Sequence, residues 1–291
     1  MNEFEQLRRD PVSRRAFLRR MSAAGLGVAA ASLFAGCSSG GTYPAPSGPF
    51  DPSQPDFDAT NFPGIPGRSI NEVVLNYALT LEILEADLYR QALNLASGRD
   101  VNAALAAGVP APGSTGPYAQ TVGNGSIASS LAPAAFLYLV QYAYVEAAHR
   151  DFLRVALQSL GAPVAAANPN GYTATFGTDL GTILELIYAV EETGVRAYLG
   201  AAPFMSFASA ADKNLVQTAV AIHSTEARHS AAVAYVLGKS AGPVYSLPGV
   251  SAGRRVTDGA AAPNAAPFSD NTFQYFSNPP VVLSAVRPFL K

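Results

Sequence analysis

Two of the chain's three histidines stand three residues after a glutamate, in the segments Glu146-Ala-Ala-His149 and Glu226-Ala-Arg-His229. In an α-helix, residues three apart project from the same face, so both members of each pair would point in one direction. Two inward-facing Glu-x-x-His helices supply half of the ligands of a known type of dinuclear metal centre in helical bundles. One such pair is an ordinary surface arrangement, but two copies on apolar helices predict a metal site.

The other half of such a centre is one glutamate from each of two further helices. Two segments of the chain have Leu, Glu and Tyr at intervals of seven, and each segment precedes a Glu-x-x-His segment. A carboxylate inside an apolar stripe is informative, because burying an unpaired charge costs free energy. The two sets are Leu75, Glu82 and Tyr89, and Leu184, Glu191 and Tyr198.

The predicted ligand set therefore has four carboxylates and two imidazoles. Four negative charges match two divalent cations, and without metal the four acids would repel one another. Carboxylate oxygen and imidazole nitrogen suit iron and manganese alike, so two iron or two manganese ions are the predicted cofactors. The ligands are Glu82, Glu146, His149, Glu191, Glu226 and His229.

Two further glutamates compete for the carboxylate positions. Glu85 lies near the inward face that carries Glu82, and a shift of the ligand to Glu85 is an open alternative. Glu192 directly follows Glu191, but it shares its face with Arg196, and we expect that face to be solvated.

Three other residues are expected to lie around the site. His223 precedes Glu226 by three residues, and we predict it beside the centre or at its rim rather than on a metal. Tyr89 and Tyr198 have two open interpretations. They either donate hydrogen bonds to the site carboxylates or serve as amphipathic core aromatics.

Four amphipathic helices carry these residues, and their apolar spacing predicts an all-α fold. Ser69 is a good N-cap for the first helix, and glycines follow the ends of three of them. Residues 162–177 form a connection long enough to carry the chain along the bundle, so that the third helix starts at the opposite end. The result is a four-helix bundle of two hairpins joined by a long crossover. The predicted helices are 69–96, 127–160, 178–201 and 209–237.

Composition is consistent with one large domain or two small ones. Of the 291 residues, 49% are hydrophobic and only 14% are charged, so there is ample material for a buried core. The net charge of -2, which falls to -5 without the first 36 residues, is not typical of a nucleic-acid-binding protein. No phosphate-binding loop or Ser-His-Asp arrangement appears.

The N-terminus has the features of an export signal. Residues 13–19, Ser-Arg-Arg-Ala-Phe-Leu-Arg, resemble a twin-arginine signal, and the apolar run at 21–36 is too short to span a bilayer as a helix. The only cysteine, Cys37, ends that run in a segment that resembles a bacterial lipobox, although Phe34 stands where the pattern usually has Leu. We therefore predict twin-arginine export to the periplasm or cell surface, with a lipid anchor on Cys37.

The chain is divided into four parts on this basis. Residues 1–37 are the signal with its lipobox, and 38–68 are a tether rich in Ser, Gly and Pro. Residues 69–239 are the four-helix bundle, and 240–291 are an irregular extension that wraps the bundle. That extension could close a subunit surface, so a homo-oligomer is an open possibility.

The chain resembles the exported ferritin-like domain family, whose members are sometimes described as desiccation-associated. The resemblance spans about residues 69–238, with a looser match at 281–290. It implies a ferritin-like bundle. It also implies ferroxidase-, peroxidase- or catalase-like activity on ferrous iron, peroxide or dioxygen. The segments that carry it are 81–89, 146–153, 191–201 and 226–229. The separate resemblance of residues 13–19 to twin-arginine signals implies export of an already folded protein, which would suit a protein loaded with metal in the cytoplasm.

Two functions of different classes follow. The first is a dinuclear oxidoreductase connected with oxidative or desiccation stress. The alternative is a non-enzymatic envelope protein that retains the bundle with little or no metal, which the long extensions on both sides favour. A closed iron-storage shell is a weaker third hypothesis, because a lipid tether and long extensions would hinder its assembly.

Replacing Arg14 and Arg15 with Lys should leave the protein in the cytoplasm, because the paired arginines are the recognised feature of the export signal. Cell fractionation measures this. A Cys37→Ala variant, by contrast, should be exported and recovered in soluble form. Unchanged export of the double Lys variant would rule out the twin-arginine assignment.

Overall fold

A computed structural model describes residues 61–105, 123–244 and 274–290. Cys37, the export signal and most of the predicted tether lie outside these residues. In the described part of the chain there is no β-strand, only isolated bridges, so the all-α prediction is confirmed. Within the same ranges, none of the helices is long and apolar enough to cross a membrane. The helices are α1 (Ile70–Ala96), α2 (Ala132–Ser159), α3 (Leu180–Ala201), α4 (Ala210–Val236) and α5 (Pro279–Val286), with 3₁₀ turns at Ala202–Phe204 and Arg287–Phe289.

Local sequence explains where the helices begin. The predicted N-cap of α1 is confirmed, since the Ser69 side chain accepts a hydrogen bond from a backbone N–H in the first turn. Asp179 and Ser209 each start a capping box at α3 and α4. Helix α2 begins at Ala132, later than predicted, with Pro133 in its first turn. Proline is favoured there because the backbone N–H groups of the first turn have no acceptor within the helix, so the N–H that proline lacks costs no hydrogen bond.

The four long helices form two hairpins, because α1 packs mainly against α2 and α3 mainly against α4. Two hydrophobic clusters occupy the two ends of the bundle. Leu153 and Leu157 near the end of α2 belong to one cluster, whereas Leu180 and Ile183 at the start of α3 belong to the other. The chain between them therefore travels the length of the bundle, as the predicted crossover requires.

Asn76 of α1 holds the start of this crossover. Its side-chain amide donates to the Pro163 carbonyl at 2.9 Å, and its carbonyl oxygen accepts from the Ala165 N–H at 2.7 Å. Asn76 is fully buried, and its amide also donates to the Glu72 carbonyl at 3.0 Å, so the three bonds together satisfy its polar atoms inside the core.

The last described segment, residues 274–290, packs across α3 and is partly helical rather than irregular as predicted. Val282 and Val286 of α5 join the hydrophobic cluster that contains Leu153. The Ser277 N–H donates to the carbonyl of Arg196 in α3 at 3.2 Å. This segment is therefore part of the packed fold.

Gly200 near the end of α3 allows the close approach of this segment. A Cβ atom at position 200 would overlap the backbone carbonyl of Ser277. Helix propensity alone would make Gly200→Ala stabilising by up to about 1 kcal/mol. We expect the opposite, a loss of about 1–3 kcal/mol in the free energy of unfolding, because the backbone must move.

Urea denaturation measures this change. In a protein that ends at residue 273, the same substitution should no longer destabilise, because the obstructing carbonyl is gone. A stabilising effect of Gly200→Ala in the full chain would contradict the observed packing.

Candidate metal centre

The six residues predicted as ligands converge between the two hydrophobic clusters. They form two overlapping groups, and in each group one donor atom of every residue lies within 4.8 Å of the others. Each group holds one histidine and three glutamates, and two glutamates are shared. The first group is Glu82, Glu146, His149 and Glu226, and the second is Glu146, Glu191, Glu226 and His229.

Glu146 faces both histidines with different oxygen atoms. Its Oε2 atom lies 3.1 Å from Nδ1 of His149, and its Oε1 atom lies 2.8 Å from Nδ1 of His229. The two imidazole rings are 6.4 Å apart between centroids and nearly parallel, at 21°. The two oxygens of one carboxylate thus face two different imidazoles, as expected of a carboxylate that could bridge two metal ions.

Each histidine also has a glutamate of its own. Oε2 of Glu82 lies 3.5 Å from Nδ1 of His149, and Oε1 of Glu191 lies 3.5 Å from Nδ1 of His229. Glu226 adds a second shared carboxylate, with Oε1 at 3.1 Å from Nδ1 of His149. The arrangement therefore has approximate twofold character, with one Glu and one His on each side.

Several oxygens of the centre have no hydrogen-bond partner within the described ranges, namely Glu82 Oε2, Glu191 Oε2 and Glu226 Oε2. Buried polar atoms in folded proteins are nearly always paired, so these convergent atoms need an explanation. Carboxylate oxygens together with imidazole nitrogens are donors that iron and manganese accept. The residues present therefore fit a pair of these ions.

Two tyrosines support the outer carboxylates across the bundle. The hydroxyl of Tyr198 in α3 donates to Oε1 of Glu82 in α1 at 2.7 Å, and the hydroxyl of Tyr89 in α1 donates to Oε1 of Glu191 in α3. Both tyrosines are buried and also belong to the hydrophobic clusters. Both interpretations open in the sequence therefore apply, and Oε2 of each glutamate stays available to the centre.

Tyr142 is a supporting residue that the sequence analysis missed. Its ring stacks on the His229 imidazole, with centroids 3.8 Å apart, and Tyr138 stacks on Tyr142 at 5.7 Å. The stack restricts rotation of the imidazole whose Nδ1 atom faces Glu146. Its position four residues before Glu146 on α2 was the available signal, since such residues share a helical face.

Glu85 is a fifth carboxyl beside the centre, outside both groups. It is 4% exposed, and Gly194 of α3 makes room for it. A Cβ atom at position 194 would lie 2.8 Å from Oε1 of Glu85 and 3.6 Å from Oε2 of Glu226. A glycine inside a helix costs stability relative to alanine, so such a residue calls for a packing reason of this kind.

The expectation that Glu192 lies on a solvated face is wrong. Glu192 is 4% exposed, accepts a hydrogen bond from the Ser230 hydroxyl at 2.6 Å, and lies 3.7 Å from Nε of the fully buried Arg196. The reason is tertiary, because Arg196 also donates to the Val244 carbonyl and chain beyond α4 covers this face. The helical spacing in the sequence gives no information about this covering segment.

His223 is half-buried on α4, and it belongs to neither donor group found among the described residues. Burial lowers the pKa of His223 below its ordinary value. Unlike His149 and His229, His223 is therefore not placed to act as a ligand of the centre.

The pKa values of the site show how its charges are balanced. Burial raises the pKa of Glu82 to about 8, and burial with repulsion from Glu146 and Glu191 raises the pKa of Glu226 well above its usual range. Burial alone would raise the pKa of Glu146 too, but the two adjacent imidazoles lower it. Burial would lower the pKa of His229, yet Glu191 and Glu146 raise it to about 11.

The family model for the ferritin-like domain matches residues 71–239. This range covers α1 to α4 and contains all six predicted ligands. No curated protein matches the chain.

We expect Glu191→Gln to be less stable than the parent with metal, and equally stable or more stable without it. Burial raises the pKa of Glu191, so its ionised form destabilises chelator-treated protein at neutral pH. The neutral amide should therefore be equally stable or more stable there. With metal, loss of a ligand that weakens binding tenfold lowers stability by about 1.4 kcal/mol.

Thermal melts with and without chelator measure both effects. Glu185→Gln, an exposed position on the same helix, is the matched control and should change neither melt. Glu192→Gln should destabilise equally in both conditions, because it weakens the buried pair with Arg196. A Glu191→Gln variant that melts like the parent in both conditions would identify Glu191 as a bystander.

Proposed function

The chain belongs to the ferritin-like domain family, and on that premise we propose that it is a dinuclear iron or manganese protein with redox activity on peroxide or dioxygen. The position of Glu146 carries this proposal, since its two oxygens face two different imidazoles. A carboxylate in that position could serve as a ligand of two cations, and two ions held by these residues would be able to act together on one small substrate.

The ligand charges support the same proposal. Four glutamates can neutralise two divalent ions, and bound cations would favour the ionised form of these carboxylates. Bound iron or manganese would supply the exchange of electrons with peroxide or dioxygen. The chain supplies rigid donors, because Tyr89 and Tyr198 hold one oxygen of Glu191 and Glu82.

The two histidines differ in access to solvent. The His149 side chain is 15% exposed, whereas that of His229 is 4% exposed and covered by Tyr142. We therefore assign the entry of a small substrate to the side of His149. The side of His229 is the more enclosed one.

The location of this activity is part of the proposal. The paired arginines at 14 and 15 and the position of Cys37 support export by the twin-arginine route and a lipid anchor in the periplasm or at the cell surface. A protein folded around its metal before export suits that route. Protection of the envelope against oxidative or desiccation stress is the role that we propose.

Protein purified from a native exporting host should contain two iron or manganese ions per chain by elemental analysis. His149→Ala should reduce this number to one and remove most turnover of peroxide or dioxygen, because one position loses its imidazole. His223→Ala is the matched control, since His223 lies outside both donor groups among the described residues, and its metal content should be unchanged.

Parent protein that folds fully and retains no metal after loading with either ion would favour the alternative, a non-enzymatic envelope protein. Equal metal loss in His149→Ala and His223→Ala would instead show that the two donor groups do not define the site.

A further inference from the structure

A second feature of the bundle is a cavity of about 410 Å³ between α1, α3 and the C-terminal helix α5. This volume falls in the range of small-molecule sites in proteins. Its walls are mostly aliphatic and aromatic side chains from these three helices and from the 3₁₀ turn after α5, including Leu81, Leu84, Leu186, Val190, Val286 and Phe289. An apolar wall of this kind favours an apolar occupant, since both lose contact with water.

The polar groups of the cavity are separated along its length. Glu185 and Lys239 line one end, are partly exposed, and form an ion pair at 3.1 Å. Thr193, which also lines the cavity, follows Glu185 by eight residues on α3, which corresponds to about 12 Å along the helix. Glu85 lies at the Thr193 level, against the neighbouring Gly194.

Glu85 and Thr193 are the polar side chains at the inner end, and the Thr193 hydroxyl already donates to the Ala189 carbonyl at 2.8 Å. The Oε2 atom of Glu85 is buried and has no hydrogen-bond partner in residues 61–105, 123–244 and 274–290. Its Oε1 atom faces the gap left by Gly194. Because Glu85 lines a mostly apolar cavity and its Oε2 atom accepts no hydrogen bond from the described residues, its carboxyl group is a position where a polar group of a ligand can bond.

The chemistry of the cavity selects a class of ligand. A charged head group would lose its hydration among apolar side chains, and the mouth charges already pair with each other. A neutral hydroxyl can hydrogen-bond to a carboxyl group at little desolvation cost. We propose that this cavity binds a small, neutral, apolar molecule with a single hydroxyl group, a phenol or an alcohol, whose hydroxyl contacts Glu85.

This site adjoins the metal centre without using its ligands. Glu85 and Glu226 both border the position where a side chain of residue 194 would lie. The hydroxyl of a bound molecule is therefore separated from the centre by one carboxyl group. Binding does not require metal, so it is independent of the proposed redox function.

Isothermal titration calorimetry with the full chain and 4-butylphenol tests the proposal. We expect a dissociation constant between about 10 µM and 1 mM for a ligand of this size, with or without chelator. Butylbenzene lacks the hydroxyl and should bind about tenfold more weakly, as expected for the loss of one buried hydrogen bond. 4-Butylbenzoate, which brings a charge, should bind more weakly still.

Substitutions of residues that line the cavity test whether 4-butylphenol binds there. Glu85→Leu should weaken binding of 4-butylphenol about tenfold and leave butylbenzene unchanged, whereas Glu85→Gln should retain binding of both. Ala189→Phe should fill the cavity and abolish binding of both probes. Ala221→Phe on an exposed face of α4 is the matched control and should bind like the parent. Thermal melts check that each variant is folded.

Equal affinity of 4-butylphenol for the parent and for folded Ala189→Phe would overturn the location of the site. Equal affinity of 4-butylphenol and butylbenzene for the parent would overturn the role of the hydroxyl. Tighter binding of the benzoate would overturn the neutral class of ligand. Absence of metal from the purified protein would affect only the proposed redox function.

Discussion

The cost of burying several glutamates in one apolar interior governs this structure. Ionised carboxylates in a medium of low dielectric repel one another and lose hydration. The imidazoles of His149 and His229 stabilise the ionised form of Glu146, but the pKa of Glu82 and Glu226 stays raised. These groups require protons or cations to be stable where they are. The same charges that oppose folding are therefore the ones suited to hold divalent metal.

The surrounding side chains turn this costly cluster into an ordered one. Tyr89 of α1 donates a hydrogen bond to Glu191 of α3, and Tyr198 of α3 donates one to Glu82 of α1. Each outer carboxylate is therefore held from the opposite helix. Tyr142 covers one imidazole, and the hydrophobic clusters fill both ends of the bundle. Donors fixed in this way cannot relax far from one another, which preserves convergence towards a shared ligand. The side chains that pack the bundle are thus also the ones that hold the donor atoms in place.

The chain beyond α4 also buries charged side chains, in this case on the outer face of α3. It covers the pair of Glu192 and Arg196 and brings α5 against the bundle. One face that would be solvated in an isolated four-helix bundle is therefore buried. The cavity that ends at Glu85 exists because α5 supplies its third wall. The extension is thus structural, and it creates a compartment beside the centre.

The sequence by itself indicated the four long helices, their order and the two Glu-x-x-His pairs that converge, because helical spacing is local and the repeated pairs constrain the faces. The crossover also followed from the length of one connection. Only the tertiary structure decided that Glu82, and not Glu85, joins a donor group, that Glu192 is buried, and that Tyr142 stacks on His229. Those outcomes depend on which distant segment covers each face. Helical periodicity describes one helix at a time, so it contains no information about that cover.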